Sequence, residues 1–428
     1  MNAPLPVPSA IAIVGSGMAG LAAGWLVARA GHRVVLYEAQ ARRGMDAHAL
    51  RVESPGGPSG VGLVDVPLRV MSPHAWKSVL SLCDQVGVDT FTVDTFASFT
   101  WLGGKTWLRN GAVRVGQRIL PFIDSARFVN LDAASVGLGL VRLATVGTIR
   151  EDLTLGELAK EKHWPDTFFR AFLLPLLTTI CTCDEATLLR WPARNLIDLF
   201  RQILFGKTLR RLVGGTPALV DGLVKGLEIR APERVVGVAE GPRGVTVTTA
   251  SGTSDTFDAV FIATQANHVA GFLDASMNRE REVLSRFRYD SGELVVHCDP
   301  RFMPPRRDDW TALNYLVSRD ESRSMFTVWV NPVEPSLAGA APVFQTWNPL
   351  FVPAPDTVLA AVKLQRAVVD SETAKAQADL ERLHAEPGRR VFFCGSFAAP
   401  GVPLLESAVR SAAAVARHVG VAAPWRTC

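Results

Sequence analysis

The residues most able to do chemistry here are three glycines and an acid. Gly15, Gly17 and Gly20 lie in the run Gly15-Ser16-Gly17-Met18-Ala19-Gly20, and Glu38 stands a short helix and strand later. At this spacing Gly15 permits a tight turn and Gly17 lets backbone approach a pyrophosphate. Gly20 lets helix and strand pack closely. The N–H groups of the helix start then face the phosphates, and Glu38 is placed to accept both hydroxyls of a ribose. The chemistry implied is recognition of an adenine dinucleotide.

That pattern means something only if the right elements carry it, and they are present. Ile11-Ala12-Ile13-Val14 is an apolar β-branched run suited to a buried parallel strand. An Ala/Leu-rich segment to about Arg29 predicts a helix, closed by Gly31-His32. Arg33 to Tyr37 predicts a second strand, with Glu38 at its end. Just beyond, Ala39-Gln40-Ala41-Arg42-Arg43-Gly44-Met45-Asp46-Ala47-His48 is a basic, glycine-containing segment placed to lie against a pyrophosphate. A solvated loop is the alternative.

The chain has 428 residues, 48% hydrophobic, with a net charge of +4. It is long enough for two or three domains and a sizeable core. Lys and Arg are scattered, so a small-molecule partner is expected and no nucleic acid. Cys83, Cys181, Cys183, Cys298, Cys394 and Cys428 are spread widely, and Cys181-Thr182-Cys183 is too tight for ordinary zinc spacing. Reduced thiols and a cytoplasmic protein with no metal are the expectation. Met1 to Ala10 lacks the basic start and apolar core of a signal peptide. The apolar run Ala171 to Cys183 contains Pro175 and is too short to span a bilayer, and Ser135 to Ile149 carries Arg142. Both are expected to line a core or a greasy pocket, with peripheral membrane or lipid contact as the alternative.

Further along, Pro55 to Gly62 predicts a turn between two short strands. Ser72-Pro73 predicts the start of a helix carrying Trp76, Val79, Leu80, Cys83 and Val86. Phe91 to Val113 predicts a β meander, and Pro121 to about Arg211 a helical block in which Thr154 and Glu157 form a capping box. Gly214-Gly215-Thr216-Pro217 starts another helix. Glu228 to Val238 and Gly244 to Ala250 alternate as strands, and Asp258 to Thr264, including Ala263, is a buried strand. A β block from about Leu294 to Trp347 follows, then a long helix near Val358 to Glu381. Arg390 to Ser396 gives a strand and a Gly395 turn, and Glu406 to His418 a closing helix.

The nucleotide-binding pieces are therefore dispersed over the chain, whereas an NAD enzyme would complete its nucleotide domain in one block. In this the chain resembles the flavoprotein superfamily of amine oxidases, phytoene desaturases and protoporphyrinogen oxidases. It is most similar to a subgroup of NAD/FAD-binding, amine-oxidase-like proteins linked to cyclopropane-fatty-acid enzymes. The stretches that carry the resemblance include Glu38-Ala39 through Arg42-Arg43-Gly44 to His48, and Val64-Asp65. Others are Trp191-Pro192-Ala193, Arg211 to Thr216, His297-Cys298-Asp299, Thr346-Trp347-Asn348-Pro349, and Phe393-Cys394-Gly395 through Glu406 to Ser411.

The resemblance implies FAD, held by a discontinuous Rossmann-type α/β domain (residues 1–80, 208–275 and 388–428). A mixed β-sheet and helical substrate domain would comprise 81–207 and 276–387. Gly15, Gly17, Met18, Ala19 and Gly20 would hold the pyrophosphate and Glu38-Ala39 the ribose. Arg42, Gly44 and Met45 would lie by the pyrophosphate and flavin, and Val236 by the adenine. Gly395, Ser396, Glu406, Ser407 and Ala408 would flank the second phosphate and the flavin's pyrimidine end. Two positions depart from the family pattern: Met45 replaces a second glycine, and Ser396 replaces an acid.

An amine oxidase of this superfamily places a lysine near flavin N5 and an aromatic cage around the amine. The stretch Glu293 to Asp299 has no lysine, and the loop Ala398 to Leu405 is apolar without a tyrosine. A small hydrophobic or lipid-like substrate, oxidised or desaturated by hydride transfer, fits better. Amine oxidation, double-bond isomerisation and a non-catalytic flavoprotein partner of a lipid-modifying enzyme are the alternatives. His48 and His297, each in a family-matching stretch, are the candidate proton handlers, with a hydrogen-bonded structural histidine as the alternative for each. Asp65 would hold the turn near the flavin or cap it as a structural acid, and Arg69 would meet a substrate carboxylate, with a surface or pyrophosphate-facing arginine as the alternative.

Overall fold

The computed structural model describes residues 4–57, 60–115, 118–123, 131–204 and 209–425. Its first layer is a five-stranded parallel sheet built from distant parts of the chain. In spatial order the strands are Glu228–Arg230, Arg33–Tyr37, Ala10–Val14, Ala259–Ile262 and Val391–Phe393. The three central strands are apolar and fully buried except at their starts, as expected for strands covered on both faces. Val14 lies beside Ile262, and Ile262 beside Phe393. The turns that follow these strands, at Gly15, Ala263 and Gly395, therefore share one edge of the sheet.

One face of this sheet packs on the helices Met18–Arg29, Lys77–Val86, Gly215–Leu223 and Leu405–His418, around Leu21, Leu26, Leu82, Leu223 and Val409. The other face packs on an antiparallel meander (Val235–Gly241, Gly244–Thr249, Ser254–Phe257) and on helices Asn278–Ser285 and Thr373–His384.

The second layer is an eight-stranded mixed sheet. Its order is Val358–Ala367, Tyr289–His297, Phe344–Trp347, Ser324–Trp329, Leu313–Val317, Ala97–Trp101, Thr106–Val115 and Arg118–Ile123. The long helix expected near Val358 to Glu381 is corrected here. Val358–Ala367 is an edge strand paired with Tyr289–His297, and the helix begins only at Thr373. The residues alternate between partly buried (Ala360, Val362, Leu364, Arg366) and exposed (Ala361, Lys363, Gln365), a period of two rather than 3.6.

The helical block between the two sheets' chain segments includes Leu131–Thr145, Leu155–Glu161, a π-helical stretch Thr167–Leu173, Leu174–Cys181 and Ala193–Leu204. Its core joins Phe168, Phe172, Leu177, Cys181 and Trp191 to Phe99 and Tyr315 of the large sheet. The capping box forms as expected, the Thr154 hydroxyl accepting from the Glu157 N–H and the Glu157 carboxylate accepting from Thr154. Among the described residues no helix is long and apolar enough to cross a membrane.

Candidate functional site

The cradle forms where the first strand turns into the first helix. Gly15 adopts φ +100, and a Cβ there would meet Thr264 and the Ala263 carbonyl. A Cβ on Gly20 would fall 1.9 Å from the Gly15 carbonyl oxygen, so helix and turn touch as only glycine allows. Gly17 differs: a Cβ there would meet nothing within 4 Å. Gly17 is also the N-cap of Met18–Arg29, and no side chain caps that helix. Its first N–H groups thus border open space, an arrangement suited to phosphate oxygens. The side chains of Met18 and Ala19 turn into the core.

Glu38 is half-buried beside this turn. One carboxylate oxygen accepts from the Ser16 N–H at 3.0 Å and from the Ser16 hydroxyl, and the other accepts from the Gln40 N–H at 2.8 Å. A carboxylate has about four acceptor positions, so room remains for ribose hydroxyls. Ser16, which has no role in the glycine spacing itself, is fully buried. Its hydroxyl also accepts from the Gly44 N–H at 2.6 Å. One hydroxyl thereby ties the first glycine turn, the acid and the second, basic turn together.

Gly44 has φ +59, and a Cβ would strike the Ser16 carbonyl oxygen at 2.4 Å, so the two turns are in contact. Arg42 is exposed and donates to the Ala49 carbonyl, bracing the turn, while Ala39 is exposed beyond Glu38. Met45 packs on the core, and its carbonyl accepts from Arg69, which also donates to the Thr216 hydroxyl at 2.9 Å. Burial holds the Arg69 guanidinium down at about 10, against the opposing pull of Asp65. The Arg69 side chain thus reaches the basic turn rather than bulk solvent.

Ala263 and Gly395 complete the same edge. The Ala263 N–H donates to Val14, and the Cys394 N–H to Ile262. Gly395 thus lies two strands from Gly15, about 10 Å at the usual spacing. Gly395 donates its N–H to the Ser411 hydroxyl, and a Cβ there would strike the Phe397 ring. Ser396 follows, half-buried, and the Ser407 hydroxyl donates to the Val402 carbonyl, fixing the loop that precedes the closing helix. Ala408 is buried under that loop. Glu406 is engaged elsewhere: its carboxylate accepts from the N–H groups of Ser78 and Val79 at 3.0 to 3.1 Å, capping the helix Lys77–Val86.

Val236 is exposed on the Val235–Gly241 strand and borders a cleft of about 300 Å³ with Phe272 and Asp274. The chain just before it hooks onto Glu38, whose carbonyl accepts from the Glu233 N–H.

Three ionisable candidates resolve differently. His297 is fully buried, its Nδ1 accepting from the Asp299 N–H at 3.2 Å and its Nε2 shared with the Thr346 hydroxyl at 2.9 Å. Phe302 and Phe344 pack on its ring, and burial lowers its pKa to about 4. A histidine with no exposed surface and both nitrogens committed holds the sheet together, so the proton-handling expectation for His297 is corrected. His48 is half-buried near the basic turn, and burial together with Arg69 and Arg42 lowers its pKa, which keeps it neutral. Asp65 is buried, accepting from the Thr216 N–H at 2.9 Å and from Arg211 at 3.3 Å. Arg211, fully buried, also pairs with Glu334 at 2.7 Å, a bridge no local sequence signal announced.

Five of the cysteines are free: Cys83, Cys181, Cys183 and Cys394 buried, and Cys298 partly so. Cys428 lies outside the described residues. Glu381, His384 and His418 come within 4.8 Å of one another, but His384 Nε2 already accepts from the Phe393 N–H.

FAD fits these residues on structural grounds. The uncapped helix start opens on free space at Gly17, Glu38 stands at the neighbouring strand end, and Thr264 Oγ1 and Gln265 Oε1 are buried at the same edge without a partner. Together with the dispersed parallel sheet, this defines a flavin-dinucleotide oxidoreductase. The chain belongs to the family of flavin containing amine oxidoreductases, whose profile matches residues 18–362. Its cofactor is FAD.

Solved structures of similar fold include putrescine oxidase bound to putrescine, at TM-score 0.61 and 13% identity, covering 96% of this chain and 98% of that one. A CLA-producing fatty acid isomerase from P. acnes matches at TM-score 0.61 and 17% identity, covering 95% and 98%. A reduced UDP-galactopyranose mutase matches at TM-score 0.62 and 11% identity, covering 95% and 94%.

Proposed function

We propose that this oxidoreductase removes a hydride equivalent from a small hydrophobic or lipid-like substrate, by oxidation or desaturation. The observation that carries this reading is the apolar continuity between the closing loop and the helical block. Val402 and Leu404 of that loop join the same cluster as Phe172, Leu177 and Cys181, and Leu404 and Leu405 also touch the core beneath the cradle. The neighbouring strand Tyr289–His297 carries no lysine. The apolar surroundings next to the dinucleotide edge favour hydrocarbon over a hydrated amine.

The residues that would hold FAD are Gly15, Gly17 and Gly20 at the diphosphate, Glu38 at the ribose, Gly44 and Met45 at the basic turn, and Gly395 and Ser396 at the far phosphate. The chemistry that bound FAD supplies is acceptance of a hydride at N5. The protein's own part is to orient the substrate against the apolar wall, keep water out and move a proton. His48 is the group available for the last task, being neutral and reachable.

The test is anaerobic mixing of the yellow holoprotein with long-chain acids, alkenes, terpenoids and amines, followed by absorbance near the flavin band. Bleaching by an apolar substrate supports the proposal. Bleaching by amines alone, with peroxide released in air, would replace it with amine oxidation. Product formed without net oxidant use would replace it with isomerisation, and no bleaching by any compound would favour a non-catalytic partner of a lipid-modifying enzyme.

A further inference from the structure

Arg366 stands out among the partly buried cations of the large sheet. It is the last of the inward-facing series Ala360, Val362, Leu364, Arg366 on the edge strand, the first three of which pack on apolar neighbours. Its guanidinium makes no hydrogen bond or ion pair with any described residue, although Arg69 and Arg211, the other deep arginines of this region, each have polar partners. The chain beside it is pinned to the dinucleotide edge: Gln265 donates to the Gln365 carbonyl, Asn267 donates to the Gln365 side chain, and Thr264 abuts Gly15. The Cys181 thiol of the helical block and the Arg69 guanidinium both lie near enough to act on it electrostatically, Arg69 by repulsion. Burial lowers its pKa, so the charge is held at a cost.

Two neighbouring guanidiniums, each partly withdrawn from water, call for a counter-charge. Asp65, the acid acting most strongly on Arg69, is already bonded to Arg211, Asp46 acts on Arg69 more weakly, and no acid among the described residues is seen to act on Arg366. We infer that Arg366 anchors the carboxylate of an apolar acid substrate, at the meeting point of the large sheet, the helical block and the cradle edge. A planar guanidinium with several free donors suits a carboxylate in two-point contact. The inference rests on the hydrophobic-substrate reading above and narrows it to substrates with an acidic head.

The experiment measures binding of decanoate, methyl decanoate, decylamine and butyrate to the FAD-loaded protein, by calorimetry and by perturbation of the flavin spectrum. Wild type, R366K and R366M are compared. Wild type should prefer decanoate to its methyl ester by on the order of tenfold or more, the usual value of a charge-assisted contact. R366M should lose that preference while keeping its FAD content, and R366K should retain part of it. Equal binding of decanoate and ester by wild type overturns the anchor but leaves the apolar pocket standing. Loss of FAD from R366M also overturns it, by showing that the guanidinium serves the cofactor's phosphates. If butyrate matches decanoate and both fail in R366M, the anchor stands and the apolar-substrate reading falls. Should R366M not fold, the ester comparison in wild type and R366K still decides.

Discussion

Gly17 and Gly20 sit one helical turn apart and make opposite demands. G17A places a methyl in open space on ordinary backbone (φ −65, ψ 176), so thermal stability without FAD should fall only by the modest cost of alanine at an N-cap, about 1 kcal/mol or less. FAD affinity should fall by on the order of tenfold, about 1.4 kcal/mol, read by titrating flavin fluorescence. G20A drives a methyl into the Gly15 carbonyl, and both folding yield and flavin content should drop together. Ser16 is the third test: S16A strips a bonded partner from Gly44 and from Glu38. A loss of about 1–3 kcal/mol in urea unfolding is expected, because the Gly44 N–H is left without its acceptor.

Histidines argue at this scale too. His297 and His384 have pKa values lowered to about 4 and about 3 by burial, below the ordinary 6.5. The unfolded chain therefore binds more protons than the folded one below about pH 6.5. Stability that is full above that pH is lost as pH falls toward 4, by up to about 3 kcal/mol for His297. Unfolding midpoints measured from pH 7 down to 4.5 should decline with this sign, and H297Q should show a shallower decline than wild type.

Among the elements, the closing helix and the Lys77–Val86 helix are joined by a cap from outside. Glu406 accepts from the buried N–H pair of Ser78 and Val79 at the start of the second helix, although it belongs to the first turn of another. A carboxylate there answers both the orphan donors and the helix dipole. E406Q should cost less than E406A, for which about 1–2 kcal/mol is expected from chemical denaturation. Glu406 was legible as an acid at a helix start, but the helix it caps was not. The edge strand shows the converse. Its run of Val, Leu, Ala and Lys suits a helix, and only pairing with Tyr289–His297 makes it β.

For the molecule as a whole, the bridge Asp65–Arg211–Glu334 links the chain beside the cradle to the loop after the large sheet's strand Ser324–Trp329. R211M leaves two buried carboxylates unpaired and should destabilise by about 3–5 kcal/mol in urea unfolding. Gln345 reinforces the joint, donating to the Asp65 carbonyl and accepting from the Leu68 N–H. These ties hold the chain segments from which the cradle and the apolar wall converge.

The local order of residues determined the cradle by itself. Gly15, Gly17, Gly20 and Glu38 fall within one strand–helix–strand unit, where backbone freedom and helix geometry act over a few residues and need no distant partner. The Thr154–Glu157 cap was legible for the same reason, whereas Asp65, expected to cap a local turn, instead meets Thr216 and Arg211 from far along the chain. Tertiary structure alone decided which distant groups meet. Burial made His297 a structural residue, sheet pairing turned 358–367 into a strand and put Arg366 on its inward face, and convergence set Arg211 between two acids. Burial and charge pairing are properties of three-dimensional neighbours, which linear spacing does not encode.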